Sequence, residues 1–394
     1  MKRICLFIGL FIFLISGAVA QESEGYQFTA VYDLPATPVK DQHRSGTCWS
    51  FSGLSFLESE MLRLGKQPVD LSEMFIVRHC YDEKAARYVR MHGSLNFGGG
   101  GAFHDVLYVL KHFGAVPEQI YSGLQYGEDK HVHGEVDGVL KGYVDAVIKN
   151  ENRKLSTSWQ GGFNGILDAY FGELPQTFEY NNKVYTPQGF AQEVVGVNPD
   201  DYVQITSFTH HPFYSAFIME VPDNWLWGSV YNVPLDELMQ IMENSLKEGY
   251  TIGWATDVSE KGFSHRNGVA IVPETDLAEL SDTERSKWET MPAGERDKLF
   301  YSFDKPVKEK VITPQLRQWA FDNYQTTDDH GMHITGMVKD QNGTIYYKVK
   351  NSWNTDSKYD GYLYASEAFV KYKTISLMVH KAAIPKALRK KLNL

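Results

Sequence analysis

The chain holds only three cysteines in 394 residues, which excludes a disulfide framework. Cys5 lies in the apolar opening segment, so Cys48 and Cys80 are the only pair left that could form a bridge. Beyond that opening segment no apolar run is long enough to span a bilayer, and no internal repeat or low-complexity tract is present. Basic charge is also in deficit, with 39 Lys and Arg against 49 Asp and Glu, which disfavours nucleic acid as a partner. The one local excess of basic residues is at the C-terminus, in Lys386, Arg389, Lys390 and Lys391.

The opening segment reads as an export signal. Met1-Lys2-Arg3 precedes apolar residues 4–15 and the small-residue stretch Ser16-Gly17-Ala18-Val19-Ala20, which sets cleavage before Gln21. The expected product is periplasmic or extracellular, without a stable membrane anchor. Cleavage removes Lys2 and Arg3, leaving 37 basic against 49 acidic residues and a net charge of −12.

At 43% hydrophobic residues, the remainder is long enough to bury a large core. Phe51, Leu54, Leu57, Met61 and Leu64 recur at helical spacing from Cys48 onward, and Gly65 follows as a stop. Ser72 is placed to cap a second helix, and residues 103–112 form a third between a glycine run and Gly114. Residues 136–250 are mixed and aromatic-rich, with a helical stretch at 235–246. The period changes near the end, where residues 334–338 and 345–349 read as strands joined by an Asn342-Gly343 turn.

Residues 42–51, QHRSGTCWSF, carry the densest chemistry. Cys48 opens a helix, where unpaired N–H groups and the positive end of the dipole favour a thiolate. Its backbone N–H and the Gln42 amide are candidate donors to an oxyanion, and Gly46 allows close backbone approach. A nucleophilic thiol needs a base held by a third group. His330 sits at the start of the predicted hairpin and Asn351 just past its end, so closing the hairpin brings them together. Trp353 is placed to shield their bond from water.

These three motifs resemble the papain superfamily, and more closely its bleomycin hydrolase or aminopeptidase C branch. The resemblance implies an α+β papain-like fold in which a helical half carrying Cys48 faces a β-rich half carrying His330 and Asn351. It also implies peptide substrates, no cofactor and a Cys48, His330, Asn351 and Gln42 machinery. Papain-like enzymes place the base roughly 130–150 residues after the cysteine, whereas His330 follows Cys48 by 282 positions. A large, mainly helical insertion over residues 136–250 accounts for the excess, leaving 21–135 and 251–394 as the two halves. Members of the branch form homo-oligomers, typically hexamers, with their own C-terminal arm in the cleft. Here the arm is basic, which would repel a substrate ammonium group, so it is expected to be trimmed or to lie outside the cleft.

Other candidates carry weaker expectations. Gly100 and Gly101, in the run from Gly98, are expected to pair with substrate backbone as an added strand, beside Trp49 and Trp353. The run lacks the Lys-Ser/Thr ending of a phosphate loop. His333 is a rival base but is expected at a surface or groove. Cys80 is expected buried and free, and Asp257 a hydrogen-bonded structural acid. His131, His133, His210 and His211 lack the Cys or acidic partners of a metal site, so they are expected at the surface and no metal is assigned.

Overall fold

A computed structural model of the chain describes residues 25–274 and 290–394; the expected export signal and its cleavage point lie outside them. After β1 (Thr29–Asp33), α1 (Cys48–Arg63) buries Trp49, Phe51, Leu54, Phe56, Leu57 and Met61. Leu64 was expected on this apolar stripe but is the C-cap and 46% exposed, and Gly65 then turns left-handed at φ 72°. α2 (Glu73–Arg90) starts at Ser72, whose hydroxyl accepts from the Phe75 N–H at 3.0 Å. α3 (Phe103–His112) packs on α1 at Gly53, where an added Cβ would stand 2.7 Å from Val106 Cγ2.

α4 (Gly134–Ile148) and α5 (Trp159–Phe171) join the same helical core, tied to α2 by Tyr81 with Asp137 and by an Arg78–Asp168 ion pair of 2.8 Å. A small hairpin, β2 (Phe178–Tyr180) with β3 (Lys183–Tyr185), leads to α6 (Pro187–Phe190). The chain then enters the sheet through β4 (Tyr202–Thr206), β5 (Ala216–Ile218) and β6 (Ser229–Asn232). α7 (Leu235–Lys247) and β7 (Ile252–Thr256) follow, then β8 (Phe263–Ser264), β9 (Val269–Ala270), α8 (Ala293–Tyr301) and α9 (Pro314–Asp322). The expected hairpin forms as β10 (His330–Lys339) and β11 (Ile345–Lys350). β12 (Tyr362–Ser366), α10 (Glu367–Lys373), β13 (Thr374–His380) and α11 (Lys386–Leu392) complete the fold.

The main sheet runs β5-β6-β4-β13-β7-β10-β11-β12-β9-β8, with β1 also paired to β10. Hydrogen bonding and burial divide the chain differently from the expected boundaries. β1 lies in the first segment yet belongs to the sheet, while α4 and α5 belong to the helical core. β4 pairs with β13 and α7 packs in the sheet core, so residues 136–250 contribute to both cores instead of forming one inserted helical body.

β10 is buried on both faces. Met332 and Ile334 join the core with α7, while His333 turns to α1 and bonds Ser55 Oγ at 2.9 Å. That corrects the expectation of a surface or groove position for His333, which is fully buried.

Candidate active site

The approach to α1 is held against the far half of the molecule by Gln42. Its N–H donates to the Ser352 carbonyl at 2.9 Å, and its Oε1 accepts from the Ser352 hydroxyl at 2.6 Å. Its Nε2 donates to the Ser45 carbonyl at 2.8 Å. With the amide oxygen fixed by Ser352, one N–H of Nε2 is used within the loop and the other is left for the cavity that Gln42 lines.

A similar bond count fixes the tautomer of His330. Asn351 Oδ1 accepts from the Ser352 N–H at 2.8 Å, so the amide oxygen faces that way, and His330 Nε2 lies 2.8 Å from the same atom. Nε2 therefore carries the proton and Nδ1 is the free base. Asn351 Nδ2 reaches His265 Nδ1 at 3.2 Å, and the Trp353 ring covers His330 with centroids 4.5 Å apart.

Gly331, next to His330, brings β10 onto the start of α1. Its N–H donates to Cys48 Sγ at 3.4 Å, and a Cβ here would meet Ser52 Oγ at 3.0 Å and Trp49 Cα at 3.3 Å. Burial pushes the Cys48 thiol up to about 12, opposed by the N–H groups of Gly331 and Trp49; the charges of Asp328 and Asp223 add to the rise. Burial likewise pushes the His330 imidazole down to about 4, opposed by Asn351. Burial thus holds both groups neutral, and an ionised pair requires each charge to stabilise the other.

Gln42, Gly46, Cys48, Trp49, Gly100, Gly101, His330 and Trp353 all line one cavity of about 350 Å³, with Asn351 behind His330. The Gly-rich loop is pinned there, since Trp49 Nε1 donates to the Gly99 carbonyl at 2.9 Å. Lys84 Nζ donates to the Gly98 and Gly100 carbonyls at 2.7 and 2.5 Å. The Gly100 carbonyl is therefore already engaged, a restriction on the strand pairing expected of it.

Cys80 is buried and free, and the partly exposed Cys48 is also free, so no bridge joins them. Asp257 accepts from the Ser259 and Thr327 N–H groups at 2.8 and 2.7 Å, the structural role expected. His131 and His133 are buried, not surface residues, because they pack against Phe51 and Phe171. His210 and His211 do gain an acidic partner that was not apparent in the sequence, Glu220, at 2.7 and 3.2 Å. Among the described residues these three form a group whose ligand atoms could hold a metal ion.

Sequence reasoning missed Gly331 and Ser352, although both adjoin motif residues, and it missed Asp223 and Asp328, which line the cavity. Nothing local marks Asp223, whose place depends on how the β5–β6 connection folds back.

Comparisons with known proteins bear on the family and the fold. The Peptidase C1-like family profile matches residues 171–295 and 300–394, and that of the Papain family cysteine protease matches 29–170. Aminopeptidase C of Listeria monocytogenes is 23% identical, over 91% of this chain and 83% of its own. Aminopeptidase G of Lactobacillus delbrueckii subsp. lactis is 22% identical, over 90% and 83%. The crystal structure of pepw from Lactobacillus rhamnosis HN001 shares the fold, with a TM-score of 0.69 and 19% identity over 93% of this chain and 84% of that one.

Proposed function

As this chain belongs to the Peptidase C1-like family of the papain superfamily, we propose that it is a cysteine aminopeptidase using Cys48, His330, Asn351 and Gln42. The observation that carries the reading is the 2.8 Å contact of His330 Nε2 with Asn351 Oδ1, which assigns the proton to Nε2, in a cavity that His330 and Cys48 both line. The aminopeptidase character rests on the named relatives.

In the reaction, the Cys48 proton passes to His330 Nδ1 as Sγ bonds the scissile carbonyl carbon. The developing oxyanion takes hydrogen bonds from the free Gln42 N–H and from the Cys48 backbone N–H at the start of α1. Collapse breaks the C–N bond, and the leaving amine takes the proton from imidazolium. Water, deprotonated by His330, then cleaves the thioester and restores the thiol.

The test pairs an aminoacyl fluorogenic amide bearing a free amino group with its N-acetylated counterpart, under reducing conditions, for wild type and Cys48→Ala. Cleavage of the free-amine substrate alone, abolished in the variant, is expected. Equal cleavage of both would indicate an endopeptidase with an open cleft. No cleavage of either by an intact thiol would indicate a peptide-binding protein.

A further inference from the structure

An aminopeptidase must recognise the ammonium group at the start of its substrate, and the C-terminal arm is not placed to do so. Leu388 and Leu392 of α11 are buried in the sheet core beside α7, and Lys391 pairs with Glu237 at 2.7 Å. The last residue in sequence to line the cavity is Ser376. The arm therefore lies outside the cleft at full length, one of the two outcomes expected from its basic composition.

Two other carboxylates do line the cavity. Asp223, from the β5–β6 connection, lies directly on the Gly-rich loop: a Cβ on Gly100 would stand 2.0 Å from its Oδ2. Asn96 Nδ2 donates to Asp223 Oδ1 at 2.7 Å and fixes that carboxylate. Asp328 precedes His330 by two residues, and burial with the charges of Asp223 and Asp329 pushes its carboxyl up to about 8. Lys84 feels the Asp223 charge but donates to glycine carbonyls. Among the described residues, neither Asp223 nor Asp328 has an ion-pair partner within 4.0 Å.

We propose that Asp223, with Asp328 beside it, holds the α-ammonium group of the peptide substrate and so places its first residue against Cys48. The inference rests on the aminopeptidase reading and supplies its missing recognition element. A longer substrate running along Gly100 would meet the Asp223 carboxylate, with Met219, Val221 and Val230 also lining the cavity. A one-residue overhang ending in a cation instead finds its counter-charge there. The Asp223 charge, and that of Asp328 once ionised, also oppose ionisation of Cys48, so a bound ammonium offsets that field and couples recognition to thiolate formation.

The experiment compares kcat/KM for leucyl-aminomethylcoumarin with that for the des-amino analogue, in wild type, Asp223→Asn and Asp328→Asn. Iodoacetamide alkylation of Cys48 monitors the intact site in each protein. Wild type is expected to prefer the amine, and Asp223→Asn to cut that preference by about 10- to 100-fold, with cleavage of the des-amino analogue retained. Asp328→Asn is expected to move in the same direction, and a Gly-Ser extension after Leu394 to leave the preference unchanged. Preference surviving both substitutions, or lost on extending the C-terminus, would overturn the anchor alone. Wild type without any preference would overturn the aminopeptidase reading and the anchor with it.

Discussion

Gln42 and Asn351 are neutral amides whose orientation is set by one neighbour, Ser352, which gives its hydroxyl to Gln42 and its N–H to Asn351. A single residue thus orients the proposed oxyanion donor and the partner that fixes the tautomer of the proposed base. Gln42→Ala is expected to lower kcat by roughly 10²–10³-fold with KM little changed, measured by steady-state kinetics on a free-amine substrate. An equal rise in KM at constant kcat would mean that Gln42 acts in ground-state binding. These residues could be read from sequence because their chemistry is local, a helix start for the thiol and hairpin ends for the base and its partner. Ser352 and Gly331 were overlooked because their roles depend on approach between segments far apart in the chain.

At the scale of elements, the close packing of β10 on the first turn of α1 sets how near His330 stands to Cys48, the proposed base and nucleophile. Gly331 is the contact point, so Gly331→Ala must push Ser52 or Trp49 aside. The expected cost is about 1–3 kcal/mol in stability and at least ~10-fold in kcat/KM, since small misplacements of reacting groups are costly. Chemical denaturation and kinetics on the same sample check both. Unchanged kinetics would mean that strand and helix adjust freely here. α1, α2, α3, α7 and the terminal hairpin were legible from periodicity and Asn-Gly chemistry. β4, β5 and β6 were not, because strands of three to five residues carry little periodic signal and the pairing of β4 with β13 that ties them to the sheet is long-range. Burial of β10 on both faces removed the alternation that would have placed His333 correctly.

Across the whole molecule, buried ionisable groups predict a stability that is level at mildly acid pH and falls as pH rises above neutrality. Burial lowers His131, His133 and His330 to about 4, and it raises Glu118 and Glu309 to about 7 and Asp328 to about 8. The histidines stabilise above their unfolded value of about 6.5, and that contribution is lost as pH falls toward 4. The acids stabilise below their unfolded values near 4, and that contribution is lost as pH rises through 7 and 8. The two trends, three groups each, cancel between roughly pH 4.5 and 6.5, so calorimetric Tm is expected to be level there and to fall by pH 8.5. Glu309→Gln should flatten the alkaline limb. A Tm rising steadily from pH 5 to 8.5 would contradict this assignment.

The central claim, that Cys48 forms the covalent intermediate with His330 as its base, is tested most directly by trapping that intermediate. Wild type and His330→Ala are mixed with an aminoacyl ester, quenched in acid within the first turnover, and peptide-mapped by mass spectrometry. The acyl group is expected as a thioester on the Cys48 peptide of wild type, and strongly reduced in His330→Ala. Acylation of Cys80, or turnover with an unmodified Cys48 at every quench time, would contradict the account.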